Sequence, residues 1–307
     1  MGTRYHCTLS IDPRIAARKG RMYLFDMNQP NKEPEELLFK SFNRTSFNPH
    51  GISLYVDPDT GVVSVFVINH RTDAQAIEIF DFDEKSKTLE FRRSVVDEKI
   101  NSPNDVVATG RESFYTTNDR FFHYDKVFLR FIEVILFSRW LKSGVIYYDG
   151  LKSHYVAGGM VAPNGITISK DGRHVFVSAG MHPAVNVYRK DDNGSLTLVQ
   201  TMEIGSSVDN IDVDPTTGDL WLAAFPKEID FVAFTENIDL PAPSQVVHVK
   251  LGSQQSKGIP FPAFEAREVY LNNGNELKGA TGAAVYGGKL AVAAIFDKFM
   301  VCELRYY

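Results

Sequence analysis

The sequence predicts an all-β protein, a six-bladed β-propeller with one helix inserted near residues 120–147. Three observations support this prediction. One local pattern recurs along the chain, glycine-containing hairpin turns follow most of its copies, and little outside residues 126–148 has helical periodicity. The 307 residues, 44% of them hydrophobic, suffice for one large core. We therefore expect a single propeller domain over residues 1–307.

The repeat consists of a small or proline-containing lead, a polar residue, a short alternating apolar strand and a turn. Its copies are NPHGISLYVDPDTG from Asn48, SPNDVVATGRES from Ser102, APNGITISKDGRHVFVS from Ala162, SVDNIDVDPTTGDLWLA from Ser207 and the weaker GATGAAVYGGKLAVAA from Gly279. Their polar residues lie 54, 60, 46 and 71 residues apart, about the size of a four-stranded blade with variable loops. The turns DPDTG, SKDGR, DPTTG and YGGK place glycine where a hairpin needs a positive φ.

The two ends of the chain are expected to supply the sixth blade, from RYHCTLSI and RMYLFDMN at the N-terminus and KFMVCELRYY at the C-terminus. Pairing of the first and last strands would close the ring and remove its exposed edges. It would also bring Cys7 and Cys302, the two cysteines, into one neighbourhood. Two buried thiols and a disulfide formed in an oxidising compartment are both compatible with the sequence.

The apolar stretch KVFLRFIEVILFSRWLKSGVIYY carries four charged residues after its first position, too many for a transmembrane helix. We expect a helix that packs on the body of the protein, and a helix at a membrane surface or substrate entrance is the alternative. The net charge of −5 and the lack of a long basic run argue against nucleic acid as a partner. The polar first 20 residues do not resemble a signal peptide, and the sequence leaves the compartment open. It leaves the oligomeric state open as well.

The polar residues of the repeat are candidates for a metal site. The first strand of each propeller blade lines the axis, so residues at equivalent positions converge there. Oxygen-bearing side chains without cysteine suit a hard cation such as calcium, which takes about six to eight oxygen ligands. Asp105 would serve a second ion or a buried hydrogen-bond network. The converging residues are His50, Asn104, Asn164, Asp209, Asn210 and Thr281.

Calcium and a base together would suit ester hydrolysis. A bound calcium ion polarises an ester carbonyl, and His50 is placed to activate water. His70 ends the strand VFVINH, which we expect to neighbour His50 in a hairpin, so the two imidazoles could act as a pair. The G-x-S-x-G, G-x-G-x-x-G and Walker patterns are missing from the sequence. The histidines without repeat context are interpreted as ordinary surface or hydrogen-bonded residues: His6, His123, His154, His174, His182 and His248.

Several blocks together resemble the paraoxonase/arylesterase family of six-bladed, calcium-dependent lactonases and esterases. These blocks are SFNPHGIS, VINH, PNDVVATGRESFYTTND, APNGITISKDGRHVFV, VDNIDVDPTTGDLWLA and CEL, and the match extends from about Arg21 to Glu303. The resemblance implies that His50 is the base and His70 its partner, and that Cys302 pairs near the N-terminus, with Cys7 as its candidate partner. It implies a catalytic calcium, whose ligands would be Asn104, Asn164, Asp209 and Asn210. It also implies a structural calcium, which Asp105 and the carbonyl of Ile52 would hold.

One departure concerns the N-terminus. Family members carry a Glu-Asp pair in a strand ahead of the matching region, and each residue of that pair completes one calcium site. Asp12 is the only acidic residue among the first 20 residues, which precede RMYLFDMN. Two explanations are open: the chain lacks this N-terminal strand, or it is a divergent member of the family with a weakened metal site. Calcium affinity and activity should be lower, because ligand charge sets much of the affinity.

The leading hypothesis is a calcium-dependent hydrolase of lactones and aryl or other carboxylic esters. The alternative is a non-catalytic, metal-depleted propeller that binds a partner or a small ligand at the same face. A third hypothesis is a propeller enzyme that acts on sugar lactones or forms carbon–carbon or carbon–nitrogen bonds. The predicted partner is a small ester or lactone, with peripheral membrane contact left open. Candidate apolar walls of the pocket are Phe121, Phe122, Phe128 and Trp140.

Overall fold

A computed structural model describes residues 20–120, 143–252, 261 and 263–304. Five antiparallel sheets follow one another along these residues as the blades of a propeller. The strand bounds up to the end of blade 3 are β1 Tyr23–Leu24, β2 Glu35–Glu36, β3 Leu38–Lys40, β4 Pro49–Val56, β5 Val63–His70, β6 Gln75–Asp83, β7 Thr88–Val95, β8 Pro103–Ala108, β9 Phe114–Asn118, β10 Ser143–Tyr148, β11 Ser153–Met160, β12 Ile166–Ile168, β13 His174–Ser178, β14 Ala184–Lys190 and β15 Leu196–Glu203. The short strands β1 and β2 pair outside the blades. Blade 1 contains β4 to β7, with β3 added in parallel with β7, blade 2 contains β8 to β11 and blade 3 contains β12 to β15. Blade 4 contains the four strands within residues 207–272, and blade 5 the three strands within residues 280–303.

Blades 4 and 5 complete the described chain, and one α-helix, α1, lies between the second and third strands of blade 4. A 3₁₀ helix, Arg44–Ser46, precedes β4. The predicted turn glycines, among them Gly61 and Gly218, have positive φ as expected. The bounds of these last elements are β16 Ser207–Val213, β17 Leu220–Phe225, α1 Glu228–Glu236, β18 Ser244–Leu251, β19 Phe264–Asn272, β20 Ala280–Tyr286, β21 Lys289–Ala294 and β22 Phe299–Glu303.

The prediction of six blades is wrong, because the described residues form five. The C-terminal strand β22 does not begin a sixth sheet; it is the third strand of blade 5, paired with β21. The segment RMYLFDMN contributes only the short β1, which pairs with β2. Its apolar side chains pack on one face of blade 1 instead, and Phe25 contacts the ring of Phe299 at a centroid distance of 4.9 Å. The segment RYHCTLSI lies outside the described residues.

The helix predicted near residues 120–147 falls mostly outside the described residues. Residues 143–147 belong to β10, which pairs with β9 and β11, and residues 121–142 lie outside the described chain. In the part of the chain that the structure describes, the α-helix is α1. Its sequence EIDFVAFTE has apolar residues on every side, so it carries no amphipathic periodicity that would predict a helix there.

Apolar interfaces between successive blades form the core. Because both faces of the second strand of a blade are covered, the strands β9, β13 and β17 are buried along almost their whole length, and alternate residues pack on different neighbours. In β13, Val175 and Val177 pack in the cluster shared with blade 2, whereas Phe176 packs in the cluster shared with blade 4. In β5 of blade 1, Phe66 packs against residues of blade 2, whereas Val67 packs against the N-terminal segment.

The first strands of neighbouring blades approach closely enough to require glycine. A Cβ on Gly165 would lie 2.5 Å from the backbone oxygen of Asp209 and 2.6 Å from Cα of Asn210, which is far inside contact distance. A Cβ on Gly282, in β20, would meet nothing nearer than Ala293 Cβ at 3.8 Å.

We predict that Gly165→Ala lowers the free energy of unfolding by about 1–3 kcal/mol, since blades 3 and 4 must separate to admit the methyl group. Chemical denaturation checks this value. The matched control Gly282→Ala should change stability by less than about 1 kcal/mol, in the stabilising direction. Equal effects of the two substitutions would contradict the close packing at Gly165.

Candidate active site

The predicted polar residues lie in β-bulges at the start of the first strand of each blade. On β4, Pro49 pairs with Asn69 and Ile52 with Val67, so His50 and Gly51 together face one residue of β5. The same two-against-one arrangement places Asn104 and Asp105 in a bulge of β8, and Asp209 and Asn210 in a bulge of β16. Bulges redirect side chains and are common beside active sites.

Blades 3 and 5 follow the same rule. Asn164 N–H donates to the Ser178 carbonyl at 3.3 Å, and Ser178 N–H donates to the Gly165 carbonyl at 2.9 Å, so two residues again face one. In β20 the register shifts between Ala280 and Gly282, and Thr281 is the extra residue. The recurrence explains why the polar residue has a fixed place in the repeat.

Hydrogen bonds join blade 2 to blade 3 at these bulges. Asp105 Oδ2 accepts from the backbone N–H of Ile166 at 2.9 Å, and Thr117 Oγ1 donates to the carbonyl of Asn164 at 2.6 Å. The other carboxylate oxygen of Asp105 accepts from its neighbour Val106 N–H at 2.8 Å. Oδ2 of Asp105 therefore connects the first strand of blade 2 to that of blade 3, while its other carboxylate oxygen is held within β8.

The contacts continue in both directions. Gly165 N–H donates to the carbonyl of Asp209 at 3.1 Å, and Asn210 Nδ2 donates to the carbonyl of Thr281 at 2.6 Å. On the other side, a Cβ on Gly51 would lie 2.6 Å from Asp105 Oδ1, so β4 is pressed against β8. The structure thus gathers the predicted residues of all five blades into one continuous arc, with His50 at its blade 1 end.

Two buried carboxylates dominate the electrostatics of this arc. Burial raises the pKa of Asp105 to about 7. Burial and the nearby charge of Asp105 raise the pKa of Asp209 well above its ordinary value, and a hydrogen bond from Asn164 opposes this only in part. Among the residues that the structure describes, no lysine or arginine forms an ion pair with either carboxylate. The Oδ1 atom of Asn164 is buried and has no hydrogen-bond partner within the described part of the chain.

His50 and His70 are in direct contact. His50 Nδ1 lies 2.9 Å from His70 Nε2, and His70 Nδ1 lies 2.5 Å from Gln75 Oε1. Burial lowers the pKa of both rings, and the charge that His70 would carry lowers the pKa of His50 further. The Gln75 hydrogen bond and the Asp119 carboxylate act in the opposite direction on the pKa of His70. The side chain of His50 remains exposed to solvent, and water there offsets part of the burial effect. The net lowering of the pKa of each ring favours the neutral imidazole, which can accept a proton.

Sequence reasoning missed the residues that hold this pair in place. Asn69 Oδ1 accepts from Asn48 N–H at 2.8 Å, and Asn69 Nδ2 donates to the buried Glu78 at 2.9 Å. Ser94 Oγ also donates to Glu78, and His70 N–H donates to the Asn48 carbonyl at 2.9 Å. The signal that could have identified Gln75 is a hairpin through residues 69–78, because its strand pairing places residue 75 opposite His70.

An aromatic cluster lies beside the arc on blades 4 and 5. Phe225 stacks on Phe231 at a centroid distance of 3.6 Å, and Phe234 contacts both Phe231 and Phe296. Helix α1 is fixed near the start of β16 by Ser207 Oγ, which donates to Glu228 Oε2 at 3.1 Å. The predicted pocket walls Phe121, Phe122, Phe128 and Trp140 lie outside the described residues.

The remaining sequence predictions have mixed outcomes. Cys302, half-buried in β22, forms no disulfide within the described residues, and Cys7 lies outside them, so their pairing stays a prediction. His154 and His248 form ion-pair contacts with Asp149 and Asp219, away from the arc.

The described residues contain no set of three or more His, Cys, Asp or Glu side chains placed to hold a metal. A cation at the arc would therefore depend on amide and backbone oxygens as well as on carboxylates. Among the described helices none has the length and apolarity to span a membrane.

Known proteins are similar to this chain over nearly its whole length. The arylesterase family model matches residues 2–304. Serum paraoxonase/arylesterase 2 of Gallus gallus is 35% identical over 288 residues, covering 94% of this chain and 77% of the relative. Serum paraoxonase/arylesterase 1 of Mus musculus is 35% identical over 307 residues, covering 99% and 81%. Serum paraoxonase/lactonase 3 of Homo sapiens is 33% identical over 286 residues, covering 93% and 77%.

Solved structures agree on the fold at low sequence identity. A protein from Lactobacillus plantarum superposes with a TM-score of 0.52 over 95% of this chain and 89% of its own length, at 10% identity. The family itself is established by the match over nearly the full length and by relatives above 30% identity, as the sequence blocks predicted. The chain belongs to the arylesterase family.

Proposed function

We propose that this protein is a calcium-dependent hydrolase of lactones and of aryl or other carboxylic esters. The main support is the arc of bulges, in which a hydrogen-bonded histidine pair lies at the end of a row of buried carboxylate and amide groups. The names of its relatives, arylesterase and lactonase, support the same reaction class. Both reactions attack a carbonyl carbon with water and so make the same demands on a site.

The residues of the arc fit a hard cation. Two carboxylates lie buried near one another without a described cationic partner, and the orphaned Oδ1 of Asn164 is an unused ligand atom. Asp209 with the amides of Asn104, Asn164 and Asn210 would hold the calcium used in the reaction. Asp105 with the carbonyl of Ile52 would hold a second ion. When bound, calcium supplies stabilisation of the negative charge that develops on the substrate carbonyl oxygen.

The protein's own residues handle the proton. In the proposed reaction His50 accepts a proton from water at Nε2, the ring nitrogen that does not contact His70, while the water oxygen bonds to the carbonyl carbon. His70 accepts a hydrogen bond from His50 Nδ1 and thereby stabilises the imidazolium. When the carbon–oxygen bond of the ester breaks, His50 returns the proton to the departing oxygen. A lactone gives a hydroxy acid, and an ester gives an acid and an alcohol.

The aromatic cluster favours an apolar substrate. Phe231 is partly exposed, and a Cβ on Gly279, two residues before Thr281, would lie 2.9 Å from its ring. Phenylalanine rings beside the arc would contact an aryl or alkyl group and offer no hydrogen bonds to a sugar.

The competing function is a propeller that binds a ligand without metal or catalysis. One observation favours it: both oxygens of Asp105 already accept backbone N–H groups, so this carboxylate has a structural role that requires no ion. The two functions differ in their response to calcium, which the following experiments measure.

Hydrolysis of phenyl acetate and of a simple aromatic lactone should require calcium and cease in excess EGTA. His50→Gln should lower kcat by about 10²–10⁴-fold, the contribution of a general base. The control His154→Gln alters an exposed histidine paired with Asp149 and should leave kcat unchanged. Full activity in EGTA, or in His50→Gln, would rule out the proposed mechanism.

Calcium should raise the melting temperature of the purified chain, because it binds the folded arc and not the unfolded chain. Asp209→Asn should reduce this rise. Asp219→Asn removes a carboxylate of similar burial that pairs with His248 instead, and it should keep the full calcium response. Scanning calorimetry at several calcium concentrations measures both. A melting temperature indifferent to calcium would favour the metal-free propeller.

In EGTA the free energy of unfolding should fall as the pH rises from about 4 to 7. Asp105 has an ordinary pKa of 3.8 when unfolded and one of about 7 when folded, so the folded state binds more protons in this window. The stabilisation is complete below the lower value and is lost through the higher one. Denaturation at fixed pH values tests this, and Asp105→Asn should flatten the slope. An unchanged slope in that variant would assign the pH dependence to other groups.

A further inference from the structure

The partner of His70 is determined by the register of a hairpin. Strands β5 and β6 pair so that His70 lies directly opposite Gln75, and the turn between them is braced by Arg71, which forms two bonds to Asp73. Gln75 is a polar residue only 5% exposed to solvent. Its carbonyl oxygen lies 2.5 Å from His70 Nδ1.

This contact decides where the protons of the pair reside. An amide oxygen can only accept, so the hydrogen must be on Nδ1 of His70. A neutral His70 then has a lone pair on Nε2, which accepts from the Nδ1–H of His50 at 2.9 Å. The remaining nitrogen of His50, Nε2, is left with a lone pair.

Without the glutamine, a second arrangement becomes available. His70 could carry its hydrogen on Nε2 and donate to Nδ1 of His50, which would leave the hydrogen of His50 on Nε2. That form of His50 cannot accept a proton from water. The two arrangements use the same ring positions and differ only in the location of the hydrogens, so an acceptor at Nδ1 of His70 favours the first arrangement over the second.

We propose that Gln75 is a positioning residue that selects the tautomers of the His50–His70 pair and keeps Nε2 of His50 free to accept a proton. Its bearing on hydrolysis rests on the proposed function, whereas the tautomers themselves do not. Gln75 acts through His70 and needs no contact with the substrate.

The positions of the two rings do not depend on Gln75. Asn48 is bonded at both backbone groups, by Asn69 Oδ1 and by His70 N–H, and Asn69 is in turn held by the buried Glu78. The strands that carry the histidines therefore stay in register when the side chain of residue 75 changes. A substitution there should affect the hydrogens more than the ring separation.

The test uses full-length protein labelled with ¹⁵N-histidine, at a pH where the imidazoles are neutral. Nitrogen NMR distinguishes a protonated from an unprotonated ring nitrogen, and the His70 signals are identified by their loss in His70→Gln. We expect His70 to carry its hydrogen on Nδ1 in the unsubstituted protein and in Gln75→Glu, which keeps an acceptor oxygen. In Gln75→Leu, which has no acceptor, we expect the hydrogen to shift to Nε2 in a large fraction of molecules.

Activity provides the second measurement. Gln75→Leu should lower kcat for phenyl acetate by about tenfold or more with little change in KM, and Gln75→Glu should restore it. Gln245→Leu is the matched control, since Gln245 is also a buried glutamine bonded to a side chain, Glu268, but lies in blade 4. It should leave both the His70 tautomer and kcat unchanged. Melting temperatures separate these effects from unfolding.

The outcomes are distinguishable. Hydrogen on Nε2 of His70 in the unsubstituted protein would overturn the role of Gln75, and so would hydrogen that stays on Nδ1 in Gln75→Leu, whatever the value of kcat. If the tautomer shifts as expected while every form is inactive with calcium present, the role of Gln75 in setting the tautomers is supported and the proposed hydrolysis fails.

Discussion

The close approach of the first strands of successive blades is the constraint on which the rest of this structure depends. Gly51 and Gly165 leave no room for a Cβ against the neighbouring strand, so the blades meet backbone to backbone near the axis. A regular strand in this position would alternate its side chains and direct half of them into the adjacent blade. The bulge at the start of each first strand breaks this alternation and redirects the polar side chains of that strand.

Packing this tight removes water, and the loss of water sets the chemistry. The carboxylates of Asp105 and Asp209 are more than nine-tenths buried, and burial raises the pKa of both. Desolvation also lowers the pKa of His70 and, offset in part by water at its exposed side chain, that of His50, so both neutral forms are favoured. A site of this kind stabilises an added positive charge among its acids and retains a proton acceptor beside it. The fold therefore produces both properties from one physical cause.

Blade 1 differs from the others in how its outer face is covered. The segment before β4 packs Met22, Leu37 and Phe47 on that face, and Phe25 reaches the last strand of blade 5. In the described chain, blade 5 has three strands where blades 2 to 4 have four. The N-terminal segment thus buries apolar surface through side chains, with a short two-residue pairing in place of a full sheet. Side-chain burial of this kind stabilises the blade but leaves no periodic strand pattern in the sequence.

The sequence by itself determined the propeller architecture, the first strand of each blade and the polar residues at their starts, because each of these depends on a local pattern repeated in the chain. It also identified His50 and His70 as neighbours, since a hairpin joins their strands. Only the tertiary structure decided the number of blades, which depends on what the two chain ends contact. The position of α1 was decided the same way, because only Phe234 among its apolar residues is buried and the others form no single apolar face. Gln75 belongs to this second group as well. Its role follows from one hydrogen bond and the donor of that bond, and no residue pattern encodes which nitrogen of His70 carries the hydrogen.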